Sequence, residues 1–438
     1  MDIYNLVSFC GLFIFMFLGW LFSANRRILN VRCIVWGLAI QLSLALLVFR
    51  TPAATKLFLW LNDVVVKVLE SATAGQKFLF GPLAIAPGQS GSQVQVSIGF
   101  ILATQALPVI IFFAALMGLL YYYGVMQIVI RGFAWLFTRL MRVSGAESLC
   151  AASEIFVGIE SSTAVRPYLA KMTRSEFCTI LTAGMATVAS STLGMYVLFL
   201  KDVFPTIAGH LISASILAAP AAIVMSKIIV PEEGQPVTLE RTISFHYEKE
   251  ANAIEAIING AMAGVKLVVG ICALLIALLG MLALVDLQLG WVGNLAGLVK
   301  PEDTQSPLST IMGYVMAPLA LIMGVPPKDA VLAGAMLGKR LIVTEVPAYM
   351  QLAQVMKDGS LADPRSAVII AYALCGFAHI ASLAIFVGGI SALVPQRSGD
   401  IAKVAVRALL AATLACLMVG AVAGIFCQSG SIVLQKSN

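Results

Sequence analysis

Apolar runs follow one another along almost the whole chain, and the polar residues between and inside them define its elements. Runs at about 3–24, 33–50, 97–123, 205–228, 256–285 and 402–425 are each long enough for a helix to cross a hydrocarbon core of about 30 Å at a rise of about 1.5 Å per residue. Two more segments, at about 177–201 and 366–393, are apolar at both ends and polar in the middle. The first carries Gly184-Met-Ala-Thr-Val-Ala-Ser190. The second carries Gly376-Phe-Ala-His-Ile-Ala-Ser382, which repeats the glycine, both alanines and the serine in register. A duplicated polar break inside an apolar span is how secondary transporters build a substrate site.

Each broken segment follows a stretch too polar to span. Between Ser144 and Tyr168 the apolar pattern is interrupted by Glu154, Gly158, Glu160 and the consecutive hydroxyl residues Ser161, Ser162 and Thr163. Each ionisable side chain at the centre of a spanning helix costs about 2.5–3.5 kcal/mol on insertion scales, so this stretch reads as a re-entrant hairpin. From Glu147 to Gly158 a helix reaches about 18 Å, roughly half the core, which puts the tip near Gly158 to Thr163 at mid-membrane. The second hairpin runs from Asp329 to about Met350 and contains Gly334, Gly338, Lys339, Arg340, Thr344 and Glu345. Residues 52–80 and 125–142 are amphipathic and fit helices lying in the interface.

The order of tilted apolar stretch, hairpin, broken span and span therefore occurs twice, with three crossings between corresponding points, so the halves have opposite orientation. The predicted fold class is an all-α polytopic membrane protein with about eight transmembrane helices plus two re-entrant hairpins, an inverted repeat with broken helices. The expected division is 1–123, N-terminal scaffold helices and interfacial helix; 124–228, first repeat; 229–254, polar loop; 255–300, central scaffold span; and 301–438, second repeat.

Composition agrees with this pattern. With 60% hydrophobic and 11% charged residues and a mean hydropathy of +0.95, the chain has too little polar side chain to cover a water-soluble globule. The first apolar run lacks a preceding basic region and is expected to be a span with the N-terminus outside. Arg26, Arg27, Arg32, Arg131, Arg139, Arg142, Arg397, Lys403 and Arg407 then fall inside, against Arg50, Lys56, Lys67 and Lys77 outside. The net charge of +6 fits basic cytoplasmic loops, and no basic-aromatic run argues for nucleic acid. The eight cysteines lack metal-type spacing and read as small buried hydrophobes. The absence of a His-x-x-x-His or Asp-rich cluster and of a nucleophile–base motif argues against an intramembrane enzyme. A channel is a further alternative, which counter-flow of preloaded substrate would exclude.

An intramembrane carboxylate is a functional candidate by default, which singles out Glu345, Glu154 and Glu160. Their structural alternatives are a pair of Glu345 with Lys339 or Arg340, and of Glu154 or Glu160 with Arg166 or water. His379 is either hydrogen-bonded filler or, from its place opposite Thr187 in the repeat, a ligand donor or titrating partner of Glu345. Ser382, Ser190 and Ser191 either contact a ligand or bond back to their own helices. Lys266 is expected to snorkel. No role is read for His210 or His246.

The stretches Glu147-Ser-Leu-Cys-Ala-Ala-Ser-Glu-Ile-Phe-Val-Gly158, Arg166-Pro-Tyr168, Met172-Thr-Arg-Ser-Glu176, Asn259-Gly-Ala-Met-Ala-Gly-Val-Lys266, Ala317-Pro-Leu-Ala-Leu-Ile-Met-Gly324 and Tyr372-Ala-Leu-Cys-Gly-Phe-Ala378 resemble the concentrative nucleoside transporter family. The resemblance runs from about residue 100 to the end with the motifs in order. It implies a scaffold of outer helices, a mobile unit of two hairpins and two broken helices, a homotrimer, and nucleoside uptake into the cell across the inner membrane driven by sodium or proton entry. Substrate contacts would fall on Glu160, Ser161, Thr344, Glu345, His379 and Ser382, and cation coupling on Glu154, Val157, Thr187 and Val188.

The first hairpin departs from the family pattern. Ile159 stands where the base-recognising glutamine is usual, Glu154 stands where an asparagine is usual, and His379 replaces a ribose-binding asparagine. Thr187 with unwound carbonyls at Val157 and Val188 still suits sodium, whereas the carboxylate of Glu154 suits a proton and shifts the expectation toward proton coupling. No other cofactor is expected. The predicted function is cation-coupled uptake of nucleosides or nucleoside-like solutes, with a different hydroxylated or modified-base solute as the alternative.

Overall fold

The computed structural model describes residues 3–85, 99–241, 243, 250–295 and 307–427, with the side chains of 52–55, 159–160 and 293–295 outside the description. The polar connector at 88–95, part of the loop at 229–254 and the boundary near residue 300 lie outside the described residues. The chain begins with α1 (Ile3–Leu21) and α2 (Val31–Arg50), separated by the basic turn, where Asn30 caps α2 by accepting from the Cys33 amide at 3.1 Å. α3 (Pro52–Phe80) is the amphipathic helix expected from the pattern. The third apolar run forms two pieces, α4 (Leu102–Gln105) and α5 (Pro108–Tyr122), because Pro108 opens a new helix. α6 (Val125–Met141) is the second amphipathic stretch.

Both hairpins and both breaks are present. Hairpin 1 descends through α7 (Gly145–Glu154), turns at 155–158, and returns through a 3-10 turn (Ile159–Val165) and the short α8 (Arg166–Leu169). The hydroxyl run and Pro167 make this return arm irregular. The first broken span is α9 (Arg174–Ala186) and α10 (Ser190–Leu200), unwound over 187–189. α11 (Ile207–Ile229) follows.

α12 (Ala253–Leu295) is longer at both ends than the apolar run implied; at its start Asn252 and Glu255 cap it inside the polar loop, Asn252 Oδ1 accepting from the Glu255 amide at 2.9 Å. In the second half α13 (Pro307–Ile322) meets α14 (Pro327–Ile342) at 118°. α14 and α15 (Glu345–Lys357) form hairpin 2, and α16 (Pro364–Leu374), α17 (Ile380–Leu393) and α18 (Ser398–Phe426) complete the described chain. By length and composition, seven of the described helical segments can cross a membrane, or eight if the bent pair is one span.

The core lies where the two broken spans cross beside α18. Gly376 has φ 135, a conformation side chains rarely adopt, and any Cβ there would collide with the Ala186 carbonyl. Gly334 likewise lets α14 lie directly on the backbone of α13 at Gly313 and Ala317. Around this core α12 packs on α5 along one side, and few of its residues are fully buried by its own chain.

A buried ion pair ties hairpin 1 to α11: Lys227 Nζ lies 2.8 Å from Glu147 Oε2, with both side chains 3% or less exposed. The Ser144 amide donates to Glu147 Oε1 at 2.7 Å, and Lys227 also donates to the Ser175 hydroxyl at 3.0 Å. Removing one partner of such a pair leaves an uncompensated buried charge, at a cost of about 3–5 kcal/mol. Lys227→Met is therefore expected to lower the melting temperature of the purified protein sharply, and adding Glu147→Leu to restore much of the loss. A double variant as unstable as the single one would show that packing, not charge, accounts for the loss.

Candidate functional site

Hairpin 2 turns over at Val343 and Thr344, and α15 begins at Glu345, so this carboxylate sits in the first turn of a helix, where the helix dipole favours negative charge. It is 4% exposed. Tyr196 of α10 donates its hydroxyl to Glu345 Oε1 at 2.6 Å, and His379 Nε2 lies 3.0 Å from Oε2. His379 is the N-cap of α17, and its Nδ1 accepts from the Ser382 amide at 3.1 Å. An accepting Nδ1 leaves the imidazole proton on Nε2, the nitrogen within ion-pair distance of Glu345. The Ser382 hydroxyl bonds back to the His379 carbonyl at 2.8 Å and to that of Phe377. Thr344 Oγ1, also buried, has no partner among the described residues. Tyr196 stacks on Tyr349 with ring centres 4.6 Å apart, and Tyr349 donates to the Ala371 carbonyl at 2.8 Å, which fixes the support beneath Glu345.

Thr344, Glu345, His379 and Ser382 line a cavity of about 350 Å³. Hairpin 1 contributes Phe156, Val157 and Gly158, α10 contributes Ser191 and Thr192, and the second break contributes Phe377, His379, Ser382 and Phe386. α5 contributes Met117 and Tyr121, and α12 contributes Asn259 and Leu267. The lining is mostly apolar with a few polar groups, the usual composition of a small-molecule site.

Behind the cavity the tip of hairpin 1 meets the first break. The Ser190 amide donates to the Phe156 carbonyl at 3.0 Å, and the Ser215 hydroxyl reaches the carbonyls of Ile155 at 3.0 Å and Val188 at 3.4 Å. Glu154 is fully buried there. Its Oε1 accepts from the Ser161 hydroxyl at 2.8 Å and faces the Cys150 thiol at 3.6 Å, while Oε2 has no partner among the described residues. Thr187 places its hydroxyl on the Ala183 carbonyl at 2.9 Å and keeps its oxygen lone pairs free.

The structure thus brings Thr344, Glu345, His379 and Ser382 together around one cavity with Val157 on its wall, and sets Glu154, Ser161, Thr187 and Val188 beside the first break. The side chain of Glu160 lies outside the described residues. Glu345 pairs with neither nearby base: Lys339 donates to Gln351 at 2.6 Å, and Arg340 to the Ala373 carbonyl at 2.5 Å. Glu154 is bonded to Ser161 and not to Arg166. Ser382 takes the back-bonding role and still lines the cavity. Sequence reasoning missed Tyr196. A tyrosine inside an apolar span was the available signal, since its buried hydroxyl needs a partner.

Comparison with known proteins matches this arrangement. Residues 10–83 match the family profile described as the Na+ dependent nucleoside transporter N-terminus, 103–203 the profile described as nucleoside recognition (Gate), and 210–424 the Na+ dependent nucleoside transporter C-terminus. The chain is 37% identical over 437 residues to sodium/nucleoside cotransporter 1 of Rattus norvegicus, covering 96% of this chain and 64% of that protein. It spans less than two thirds of that relative. With the uncharacterized transporter YutK of Bacillus subtilis (strain 168) it shares 36% identity over 93% of this chain and 96% of YutK. The structure of CNTnw in an inward-facing substrate-bound state is similar with TM-score 0.86 and 32% identity over 97% of this chain and 98% of CNTnw. A doubly substituted CNTnw in an outward-facing state is similar with TM-score 0.87 over the same shares. Seven or eight apolar spans, two hairpins, two crossing breaks and full-length similarity lead to one conclusion: this multi-pass membrane protein belongs to the concentrative nucleoside transporter family.

Proposed function

We propose that the protein is a cation-coupled secondary transporter that takes up nucleosides or nucleoside-like solutes across the cytoplasmic membrane by alternating access. One observation carries the substrate reading. A carboxylate, Glu345, 2.6 Å from the Tyr196 hydroxyl and 3.0 Å from His379 Nε2, lines a mostly apolar cavity together with Thr344, whose hydroxyl has no partner among the described residues. A ligand that offers vicinal hydroxyls to these groups and a flat apolar-faced base to the apolar lining is complementary to that mixture. Thr344, Glu345 and His379 would take the hydroxyls, with Ser382 fixing the imidazole and Glu160 on the hairpin 1 side, whereas Ser161, bonded to Glu154 and not lining the cavity, goes with the coupling group. The names of relatives that transport nucleosides support the same reading. A homotrimer fits a long, apolar α12 of which few residues are fully buried by its own chain.

Coupling is assigned to Glu154. An ionised carboxylate buried with one oxygen unpaired is costly, and either a proton on Oε2 or a cation beside it removes that cost. A sodium ion would draw on Glu154, Thr187 and the carbonyls of Val157 and Val188, all hard oxygen donors. The carboxylate makes a proton the primary reading. Glu154→Gln, which mimics the protonated state, is expected to keep nucleoside binding and exchange but to lose accumulation driven by a proton gradient. A strict sodium requirement at every pH would overturn the proton assignment.

The substrate reading is tested by thermal unfolding of the purified protein with uridine, adenosine, modified nucleosides, free bases and sugars. A ligand at 100 times its dissociation constant stabilises by about 2.7 kcal/mol. At least one nucleoside is expected to raise the melting temperature, whereas stabilisation by a non-nucleoside polyol alone moves the substrate to another hydroxylated solute. Glu345→Gln, which removes a charge-assisted hydrogen bond worth about 1.5–3 kcal/mol, is expected to weaken binding by roughly 10- to 100-fold. Tyr196→Phe, which leaves the carboxylate with one donor fewer, is expected to have a smaller effect in the same direction.

A further inference from the structure

The first halves of the two broken spans end in different electrostatic surroundings. α9 and α16 both stop inside the protein with carbonyls that have lost their helical partners, and such helix ends carry partial negative charge that draws cations. At the end of α9 those carbonyls meet neutral donors only. The Thr187 amide and hydroxyl lie on the Ala183 carbonyl at 3.0 and 2.9 Å, the Cys416 thiol is 3.7 Å from that of Ala186, and the Ser215 hydroxyl is 3.4 Å from that of Val188.

At the end of α16 a permanent cation is already seated. Arg340 Nη1 donates to the Ala373 carbonyl, while Arg340 is 1% exposed and makes no ion pair among the described residues. Its Nε has no partner there either. Arginine keeps its charge at any working pH, and burying it away from every carboxylate is costly unless fixed dipoles offset the charge. The offset here is the C-terminal end of a half-helix, the same feature that the first repeat leaves open beside Glu154.

We propose that Arg340 is a tethered cation: its guanidinium fills, at the end of α16, the position that a mobile cation takes at the end of α9, and so limits coupling to one cation per transport cycle. This rests on the coupled-transport reading above. Hairpin 2 supplies both Arg340 and Glu345, so the fixed charge stays with the substrate carboxylate. Lys339, the neighbouring base, is turned away onto Gln351 and does not serve this role.

The test measures charge moved per nucleoside in proteoliposomes, from the membrane potential at which net uridine or adenosine flux vanishes under set proton and sodium gradients. The protein itself and Arg340→Lys, which keeps a tethered charge, are expected to move one charge per nucleoside. Arg340→Ala is expected to lose uptake by roughly tenfold or more, as for loss of a charge-assisted hydrogen bond, to be rescued by millimolar guanidinium, and to depend on cation concentration more steeply than the first power.

Two charges per nucleoside in the unsubstituted protein overturn the proposal, and so does a second cation in Arg340→Lys. An Arg340→Ala variant with first-power dependence and no response to guanidinium also overturns it. If Arg340→Ala does not fold, the ratios of the unsubstituted protein and Arg340→Lys decide. Coupled flux carrying two charges defeats this proposal alone, whereas no coupled flux with any nucleoside defeats the transport reading as well.

Discussion

Where the two broken spans cross, Gly376 lies against the Ala186 carbonyl, and the Cys416 thiol of α18 reaches both Ala186 and Cys375. Unwound backbone in a bilayer interior must find its hydrogen bonds within the protein, since hydrocarbon offers none. Much of the surrounding structure answers that requirement. Ser190 closes the first break onto hairpin 1, Ser215 caps Ile155 and Val188, Tyr349 takes the Ala371 carbonyl, and Arg340 takes that of Ala373. The hairpins, together with α11 and α18, are therefore the source of the partners that allow the spans to be broken at all.

The same constraint makes the site. Some of the groups freed by the breaks line the cavity, and the others lie behind it at the tip of hairpin 1. His379 is at the cavity: as N-cap it satisfies the start of α17 through Nδ1, and the same ring presents Nε2 to Glu345. Glu154 is a fully buried carboxylate with no basic residue bonded to it and with Oε2 unpartnered among the described residues. Such a group is stable only when something positive arrives, which is what coupling requires.

The spans, hairpins and breaks were legible because each is a local departure from an apolar pattern, and the repeat of Gly184 to Ser190 in Gly376 to Ser382 made the two breaks visible as a pair. Glu345 was legible as an intramembrane carboxylate. Its partners were not. Tyr196 is 149 residues away in sequence, and contacts at that range leave no periodic trace. Arg340 entered, with Lys339, only as the structural alternative partner of Glu345, since nothing local showed that a half-helix end would receive its guanidinium. The start of α12 was placed late because its capping residues lie in the polar loop, where apolar periodicity is blind. The irregular return of hairpin 1 follows from hydroxyl residues whose preference for bonding to nearby backbone competes with a helix.

The most direct measurement of the account is accumulation of nucleoside inside proteoliposomes of the purified protein under an imposed inward proton or sodium gradient. The account predicts an internal concentration that rises above the external one and collapses when an ionophore dissipates the gradient. Uptake that only equilibrates, under every cation gradient and for every nucleoside, would contradict it.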